Sequence, residues 1–345
     1  MSNPTVNFGL IGSGRIGVLH AEHLTCRIPG ARLLVVADIN KTAACACADR
    51  FQVPACTNDY QKILEQRDIQ AVVISSSTDT HARMIEEAAA AGKHIFCEKP
   101  IDFDLGRIDR ALEAVKRAGV ILQVGFNRRF DANFRRVRQA VAGGEIGEPH
   151  QLHIISRDPA PPPIEYIKKS GGIFADMTIH DFDMARFILD REPAEVYAAA
   201  GVLVDPAIGA AGDIDTAIIT LKFARGVIAT IDNCRQAVYG YDQRVEVLGS
   251  KGAIRTDNNY PNAAVVSDGW TVWRDLPLNF FMERYSESFL TEMRDFVACV
   301  LQDKPVPVTG HDARAAVVMA LAARRSFELN RPVAIDEITD DRHRA

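Results

Sequence analysis

Short apolar runs alternate with amphipathic stretches along the first part of the chain, and this alternation constrains the fold more than any other feature. Each run is followed by a stretch of helical periodicity before the next run begins. The apolar runs are Val6–Ile11, Ala31–Ala37, Ala71–Ser75, His94–Cys97 and Ile121–Gly125. Continuous apolar strands separated by helices are typical of a parallel sheet that is covered on both faces. Since parallel crossovers are right-handed, the pattern predicts a doubly wound α/β domain over residues 1–125.

The pattern changes after residue 125, where turns separate strand-like segments. Ala224-Arg225-Gly226 and Ser250-Lys251-Gly252 are two such turns, and they favour hairpins. The predicted strands are Gln151–Ser156, Val196–Leu203, Thr216–Phe223, Val227–Asn233, Gln243–Leu248 and Ala253–Asp257. Helices are predicted over Asp131–Ala142, Ile173–Leu189, Ser286–Gln302 and Asp312–Asn330, before a polar tail. We therefore expect a second, α+β domain over residues 126–345, built on an open, mainly antiparallel sheet, whose C-terminal helices can pack back on the first domain.

Charge and cysteine content restrict the class of protein. The chain has 345 residues and a formal net charge of −5, so it offers no basic surface to nucleic acid or to an acidic membrane. We expect no signal peptide and no membrane helix, because no stretch approaches the about 18–20 apolar residues that a span requires. The seven cysteines are scattered and odd in number, and Cys45-x-Cys47 is too tight for a zinc knuckle. They predict reduced, mostly buried thiols in a cytoplasmic protein.

Three glycines stand between the first predicted strand and the first predicted helix, in the pattern Gly12-x-Gly14-x-x-Gly17. In a dinucleotide-binding turn the first glycine permits the tight bend and the second lets the backbone approach the pyrophosphate. The third lets the helix pack closely on the strand, while the helix N-terminus favours the phosphate charge. The placement of these glycines in a strand-turn-helix unit therefore predicts a dinucleotide site.

Asp38 ends the second predicted strand, about twenty residues after the last of these glycines, where a carboxylate accepts hydrogen bonds from ribose hydroxyls. The same carboxylate would repel a 2′-phosphate, which favours NAD over NADP. Arg15 lies inside the glycine turn and is the residue able to reach such a phosphate. The alternative is that Asp38 only marks the start of the next helix.

Lys99 lies at the C-terminal end of the fourth predicted strand, in the sequence Cys97-Glu98-Lys99-Pro100. Open α/β sheets bind ligands at this edge, and a desolvated lysine loses its proton readily and hydrogen-bonds a substrate hydroxyl. The competing interpretation of Glu98-Lys99 is an ordinary surface ion pair.

A second cluster of ionisable residues occurs at Asp176-x-x-x-His180. A spacing of four places both side chains on one face of a helix. Histidine exchanges a proton near neutral pH, and a neighbouring carboxylate holds its tautomer. Two other interpretations stay open, namely a capped helix start with a hydrogen-bonded histidine, or a metal site made of the same oxygens and nitrogen.

The chain resembles the Gfo/Idh/MocA oxidoreductases over essentially its whole length. The motifs GLIGSGRIG, FCEKP and GGIFADMTIHDFDMARF occur in the order of that family, and EKP together with the D-x-x-x-H helix is a specific signature. The stretches VGFNRRFD and AVYGYDQRVEVLGSKG are similar to the inositol 2-dehydrogenase branch. This resemblance implies NAD as cofactor, no metal, a small polyol or sugar as substrate, and a homodimer or homotetramer. The implied reaction oxidises myo-inositol to its 2-keto form, and the second domain would bind substrate and form the subunit contacts.

The resemblance also implies a role for individual residues. Lys99 would act on the reacting hydroxyl, with Asp176 and His180 as the acid/base pair and His180 as the group that removes the proton. Pro100 would follow a cis peptide bond, and Asp183 would be a structural carboxylate. The implied cofactor-binding residues are Gly12, Gly14, Arg15, Ile16, Gly17, Asp38, Ser75, Thr78, His81, Glu98 and Lys99. The implied substrate-binding residues are Lys99, Arg129, Ser156, Arg157, Asp176, His180 and Tyr241.

Two alternatives to this function remain on sequence grounds. One is a dehydrogenase of another inositol isomer or of an aldose sugar on the same scaffold. The other is a regulator that binds NAD without catalysis, since a fold does not fix a function. Against the regulator, Lys99, Asp176 and His180 are all present, and a sensor has no chemical need for the three together.

Overall fold

The computed structural model describes residues 4–340, and the chain divides into two compact units. The first contains the chain up to Asn127 together with Glu287–Ala315, and the second contains Arg128–Ser286 together with the chain from Ala316 onward. The segment Glu287–Ala315, which the sequence pattern places in the second domain, is thus part of the first unit. Among the described residues, no helix combines the length and the apolar character needed to cross a membrane.

The first unit is built on a sheet of six parallel strands. In chain order these are β1 (Val6–Ile11), β2 (Ala31–Ala37), β3 (Ala55–Thr57), β4 (Ala71–Ile74), β5 (His94–Glu98) and β6 (Leu122–Gly125). They lie in the order β3-β2-β1-β4-β5-β6, so the direction of winding reverses at β1. Phe8 and Leu10 of this central strand are fully buried, because helices cover both faces of a doubly wound sheet. The predicted α/β fold is confirmed.

Capping residues fix the ends of the helices between these strands. They are α1 (Arg15–Glu22), α2 (Lys41–Arg50), α3 (Gln61–Leu64), α4 (Thr78–Ala90) and α5 (Leu105–Ala118). The Asp104 carboxylate accepts the Arg107 amide at 2.7 Å and caps α5, which satisfies an N–H that the helix itself leaves unbonded. Gly119 follows the last residue of the same helix with a φ of 65°, a conformation that glycine adopts without steric cost.

The rest of the chain contains further helices and two further sheets. The helices are α6 (Ala132–Ala142), α7 (Ile164–Ile167), α8 (Ile173–Asp176), α9 (Thr178–Leu189), α10 (Pro206–Ala210), α11 (Phe281–Arg284), α12 (Ser286–Gln302), α13 (Gly310–Leu329) and α14 (Ile335–Asp340). The strands are β7 (Pro149–Arg157), β8 (Pro193–Gly201), β9 (Thr216–Phe223), β10 (Ile228–Cys234), β11 (Asp242–Gly249), β12 (Gly252–Arg255), β13 (Val265–Ser267), β14 (Val272–Arg274) and β15 (Val333–Ala334).

Seven of these strands form the sheet of the second unit, in the order β12-β11-β7-β10-β9-β8-β15. The β7–β10 pair is parallel and the other pairs are antiparallel. On β9, Ala217, Ile219 and Leu221 are buried, whereas Ile218 between them is exposed. This alternation arises because successive side chains of a strand point to opposite faces, so one face of the sheet is covered. The predicted open, mainly antiparallel sheet is confirmed.

The prediction of one continuous helix over Ile173–Leu189 is wrong. The segment forms α8 and α9, with Met177 between them. The His180 amide donates to the Met177 carbonyl, three residues back, at 3.3 Å. The Thr178 hydroxyl donates to the Ile173 carbonyl, also at 3.3 Å, and such local side-chain bonds compete with the regular helical pattern.

The prediction of seven reduced cysteines is wrong for two of them. Cys45 and Cys56 form a disulfide between α2 and β3, with Cα atoms 5.0 Å apart. The chain turns back after α2 to add β3 to the sheet edge, and this return brings together two residues that the scattered sequence spacing does not pair. The other five cysteines are free thiols, of which Cys47, Cys97 and Cys299 are buried.

Helix α12 packs its apolar side against the sheet of the first unit. The ring of Phe296 lies 6.2 Å from that of Phe8 on β1 and 5.8 Å from that of Phe96 on β5. Met293 and Val297 of the same helix belong to this core. A helix from late in the chain therefore completes the core of the N-terminal sheet, and it brings its own polar residues with it.

Candidate active site

The glycine loop between β1 and α1 uses its three glycines in different ways. Gly12 has a φ of 97°, and a Cβ atom added to it would lie 2.6 Å from the Ser75 backbone. A Cβ on Gly17 would lie 2.0 Å from the Gly12 carbonyl oxygen. A Cβ on Gly14, in contrast, meets no atom within 4 Å. Packing therefore demands glycine at two positions, while Gly14 leaves bare backbone at the N-terminus of α1.

This bare backbone fits the pyrophosphate of a dinucleotide. Gly14 is the N-terminal capping residue of α1, with no side-chain cap. Arg15 and Ile16 form the first turn, where Arg15 is exposed and Ile16 partly buried. The amides of such a turn point outward without helical partners and favour a negative charge. The loop thus leaves open space at Gly14, where an added Cβ would meet no atom within 4 Å among the described residues.

Asp38 directly follows β2 and is bonded to the glycine loop. Its Oδ2 atom accepts the Ser13 amide at 2.7 Å and the Ser13 hydroxyl at 2.9 Å. Its Oδ1 atom accepts the Asn40 amide at 2.9 Å. Desolvation raises the pKa of Asp38, but these hydrogen bonds outweigh it and hold the pKa below its ordinary value. The carboxylate is therefore ionised and fixed, as repulsion of a 2′-phosphate requires. Sequence reasoning missed Ser13, although it is the one hydroxyl within the glycine loop.

Three predicted cofactor residues follow β4. The Ser75 hydroxyl donates to the Gly12 carbonyl at 2.8 Å, which fixes the bend of the glycine loop. Thr78 is partly buried in the first turn of α4. The ring of His81 is buried, with Nδ1 at 2.8 Å from the Pro100 carbonyl and Nε2 at 3.0 Å from the Ser76 carbonyl. Since both of its ring nitrogens face backbone, His81 connects α4 to the segment after Lys99.

Glu98 and Lys99 lie at the end of β5, at the carboxyl edge of the parallel sheet. Glu98 Oε1 is 2.7 Å from His20 Nε2, on α1. Lys99 is partly buried, and its peptide bond to Pro100 is cis, as the family resemblance implies. The edge at which open α/β sheets bind ligands thus presents the lysine that the motif predicts.

In the second unit, Asp176 ends α8 and is held by two side chains. The Tyr166 hydroxyl donates to Asp176 Oδ1 at 2.8 Å. Arg235 Nη1 donates to Asp176 Oδ2 at 3.4 Å, and Arg235 Nη2 donates to Asp213 at 3.3 Å. His180 lies in the first turn of α9 and is partly buried. Sequence reasoning missed Tyr166 and Arg235, because each reaches Asp176 through tertiary contacts.

Asp158 adds a second carboxyl group near Asp176. Desolvation raises the pKa of Asp158 to about 6, and the negative charge of Asp176 acts in the same direction. The guanidinium groups of Arg235 and Arg128 oppose this shift. A carboxyl group that titrates near neutral pH beside a proposed acid/base pair is typical of catalytic sites.

Arg128 is the centre of a buried polar network. Its Nη1 atom donates to Asp181 at 2.6 Å, and its Nη2 atom donates to the Ser156 hydroxyl at 3.3 Å and the Tyr241 hydroxyl at 3.4 Å. Asn233 donates to the other Asp181 oxygen at 2.9 Å. Burial raises the pKa of Tyr241 well above its ordinary value, so this hydroxyl stays protonated. Two predicted substrate residues, Ser156 and Tyr241, thus meet at an arginine that was not among the predicted ones.

The other two predicted substrate residues are arginines that form ion pairs. Arg129 binds Asp183 through two hydrogen bonds, of 2.8 and 2.6 Å, and both side chains are buried. Arg157 donates to Asp232 through Nε and Nη2, and its Nη1 atom donates to the Tyr239 hydroxyl at 3.0 Å. The two guanidinium groups are therefore oriented by carboxylates of their own unit.

Family models match both parts of the chain. A model described as an oxidoreductase family with an NAD-binding Rossmann fold matches residues 6–126. A model of the GFO/IDH/MocA C-terminal domain matches residues 134–255. Together they cover most of the chain.

Individual relatives match over nearly the full length. The chain is 48% identical to an inositol 2-dehydrogenase of Rhizobium meliloti and 46% identical to a myo-inositol 2-dehydrogenase of Thermotoga maritima, in each case over 96% of this chain and 99% of the relative. Among solved structures, it is similar to a scyllo-inositol dehydrogenase from Lactobacillus casei with bound NAD(H) and scyllo-inositol. That match has a TM-score of 0.90 and 30% identity, and it covers 96% of this chain and 99% of the other.

Proposed function

Because the chain belongs to the Gfo/Idh/MocA oxidoreductase family, we propose that it is an NAD-dependent dehydrogenase that oxidises myo-inositol to its 2-keto form. The two relatives named for inositol, at 46% and 48% identity, support this substrate. The observation that carries the proposal is the glycine loop, where Gly14 offers bare backbone to a phosphate and Asp38 is fixed beside it.

The first unit supplies the groups that hold the cofactor. The amides of Gly14, Arg15 and Ile16 would bind the pyrophosphate, and Asp38 would accept from the adenosine ribose. Glu98 would accept from the second ribose, next to Lys99. NAD, once bound, supplies the hydride acceptor, which no amino-acid side chain provides.

The remaining chemistry is proton transfer, and it belongs to this chain's own side chains. His180 takes the proton of the reacting hydroxyl. Asp176 orients and stabilises the protonated ring, while Tyr166 and Arg235 keep Asp176 in place. Lys99 donates a hydrogen bond to the reacting oxygen as negative charge develops on it. Such general acid-base groups contribute about 10²–10⁴-fold each.

The substrate's other hydroxyls require hydrogen-bonding groups around the ring. We propose Ser156 and Tyr241, which meet at Arg128, together with Arg129. Arg157 follows Ser156 on β7 and therefore points to the opposite face of the sheet. A site built to bond hydroxyls rejects analogues that lack them, because its own buried polar groups then stay unpaired.

Initial rates of NADH formation test the proposal directly. The substrates are myo-, scyllo- and D-chiro-inositol, glucose and glucose 6-phosphate, with NAD as cofactor. We expect the highest kcat/KM for myo-inositol. Lys99→Ala should lower kcat by about 10²-fold or more while NAD still binds, and Lys116→Ala, exposed on α5, is the matched control.

Each outcome of this experiment separates one part of the proposal. Near-normal turnover by Lys99→Ala would remove the role of Lys99. A preference for glucose or glucose 6-phosphate would exclude inositol as the substrate but would still support the dehydrogenase activity. A preference for scyllo-inositol would favour the second candidate substrate, which the Lactobacillus casei structure suggests. NAD binding without turnover of any substrate would favour the regulator.

We also propose that the protein is a homo-oligomer, a dimer or tetramer. The uncovered face of the second sheet supports this, because it exposes Ile218, Ile228 and Leu248, each more than 40% accessible. Apolar side chains grouped on one open sheet face commonly pack against another subunit. Use of the cellular NAD pool would place the enzyme in the cytoplasm.

A further inference from the structure

The first unit contains a buried cluster of three ionisable side chains, which we name the Glu98 cluster. Its members are His20 on α1, Glu98 at the end of β5 and Glu292 on α12. One potential ligand atom from each lies within 4.8 Å of the other two. His20 and Glu292 have no accessible surface, and the Glu98 side chain is 14% exposed. Glu98 is therefore the one member that reaches the surface, directly before Lys99.

The Glu98 carboxylate is held on two sides. His20 Nε2 lies 2.7 Å from Oε1, and because its partner is a carboxylate, this nitrogen donates the proton. The His20 ring is itself packed against Phe96 and Phe289, at 5.1 and 6.3 Å between centroids. On the other side, a Cβ on Gly125 would lie 2.8 Å from Oε2, so the backbone of β6 closes against that oxygen.

The surroundings of Glu292 do not account for a charged carboxylate at this position of the Glu98 cluster. Both of its carboxyl oxygens are buried, and no hydrogen-bond donor among the described residues reaches either of them. A buried carboxylate ion without a partner is strongly unfavourable. The group needs a cation or a proton of its own.

The charge that acts on Glu292 is that of Glu98, which gives it no compensation. Glu98 is negative and acts to raise the pKa of Glu292, in the same direction as burial, the larger effect. Desolvation, together with the charges of His20, Arg27 and Arg294, lowers the pKa of His23 to about 3, so the His23 ring is neutral. Burial raises the pKa of the Cys97 thiol, which is therefore neutral as well.

A metal ion fits the Glu98 cluster less well than a proton does. The cluster offers three protein ligand atoms, whereas structural zinc takes four and the harder divalent cations take six or more. Two of the three side chains have no contact with solvent, so water would not supply the missing metal ligands beside them. A proton needs one site on Glu292 and one acceptor, and Glu98 is the acceptor at hand.

We infer that Glu292 is a neutral carboxylic acid in the folded protein and that it is a positioning residue for Glu98. The acid proton and His20 Nε2–H then orient a Glu98 carboxylate that carries a single negative charge beside Lys99. The consequence for NAD binding rests on the proposed function, in which Glu98 accepts from a cofactor ribose.

Infrared spectroscopy tests the protonation state without turnover. At about pH 8, where Asp158 with its pKa of about 6 is ionised, the protein should show the C=O stretch of a protonated carboxyl group, and Glu292→Gln should lack it. Glu287→Gln, on the exposed first turn of the same helix, is the control and should keep the band. Absence of the band from the wild type, or its survival in Glu292→Gln, would overturn the inference.

Kinetics and elemental analysis test the other two parts. Because a glutamine amide also donates to Glu98, Glu292→Gln should keep KM for NAD within about threefold of wild type. Glu292→Leu removes the donor and should raise KM for NAD about 10-fold or more, with a smaller change in kcat. An unchanged KM for NAD in Glu292→Leu would refute the positioning role.

Elemental analysis tests the metal alternative. One equivalent of zinc or manganese in the purified protein, lost in Glu292→Gln, would show a metal site instead. Since the band and the metal content need no substrate, failure of this inference is distinguishable from failure of the dehydrogenase proposal.

Discussion

Asp38 divides its two carboxylate oxygens between two neighbours. Oδ2 holds the glycine loop through Ser13, and Oδ1 accepts the Asn40 amide just before α2. The two interpretations that the sequence left open, a cofactor residue and a helix-start signal, therefore do not exclude each other. Sequence reasoning identified Asp38 from its position after an apolar strand, but it had no means to find the bond to Ser13. That bond depends on how two loops of the sheet edge meet.

Substitutions at Asp38 should separate the effect of its charge on cofactor preference from the effect of its hydrogen bonds on NAD binding. Asp38→Asn keeps an acceptor for the loop and loses the charge, whereas Asp38→Ala loses both. Since repulsion of the 2′-phosphate disappears in each, we expect the ratio of kcat/KM for NAD to that for NADP to fall about 10-fold or more in both variants. NAD binding should weaken more in Asp38→Ala. An unchanged ratio in both variants would mean that Arg15 or a neighbouring residue determines the preference for NAD.

Asp158 should make stability depend on pH in a specific window. Its pKa rises from 3.8 to about 6 on folding, so between these values the folded protein binds more protons than the unfolded chain. The free energy of unfolding contributed by Asp158 therefore falls as pH rises through the window. Asp158→Asn removes this loss and should be more stable than wild type at neutral pH by about 1–2 kcal/mol, a value reduced for partial exposure of the group.

Urea denaturation at several pH values measures the difference, with Asp49→Asn on the exposed side of α2 as control. The advantage of Asp158→Asn should be absent at pH below the window and complete above it. A constant difference across the range would mean that the substitution acts through packing and not through titration.

At the scale of elements, apolar patterning located the long strands and helices well. Thr216–Phe223 and Ser286–Gln302 have the predicted bounds, because each spans enough residues to show its period. The pattern missed β3, which is three residues long, and the exposed hairpin of β13 and β14. Neither contains enough alternation to be recognised. It also missed β15 and α14, which lie in the segment predicted as a polar tail.

Helix α1 and its loop offer a matched pair of glycine substitutions. Gly17→Ala places a Cβ 2.0 Å from the Gly12 carbonyl, and such overpacking should cost about 1–3 kcal/mol of stability. Gly14→Ala meets no protein atom and should be within about 0.5 kcal/mol of wild type, yet bind NAD far more weakly. Thermal unfolding with and without NAD distinguishes the two. Normal NAD binding by Gly14→Ala would refute the pyrophosphate site.

At the scale of the whole molecule, sequence motifs identified candidate chemical groups but not the side chains with which those groups pair. A motif such as EKP consists of consecutive residues and is visible in the sequence itself, so Lys99 became a candidate without a structure. The pairing of Arg128 with Asp181, across 53 positions, is decided by tertiary packing and leaves no local signal. The same is true of Cys45 and Cys56.

The proposed subunit contact predicts that the sheet face controls oligomeric state. Ile218→Lys places a charge on the uncovered face of β9 and should shift the protein toward monomers, because burial of an unpaired charge is costly. Val238→Lys, at a more exposed position outside the sheet, should leave the assembly unchanged. Light scattering gives the mass of each. A monomeric wild-type protein would contradict the proposal.

The ion pairs of Arg128 and Arg129 have a consequence for selectivity among metabolites. Each guanidinium is already balanced by an aspartate, respectively Asp181 and Asp183. An incoming phosphate monoester would have to break such a pair and leave a carboxylate uncompensated. A neutral polyol would leave these ion pairs intact and would avoid that cost. If these arginines line the substrate site as proposed, the arrangement would therefore favour an uncharged polyol over a phosphorylated sugar.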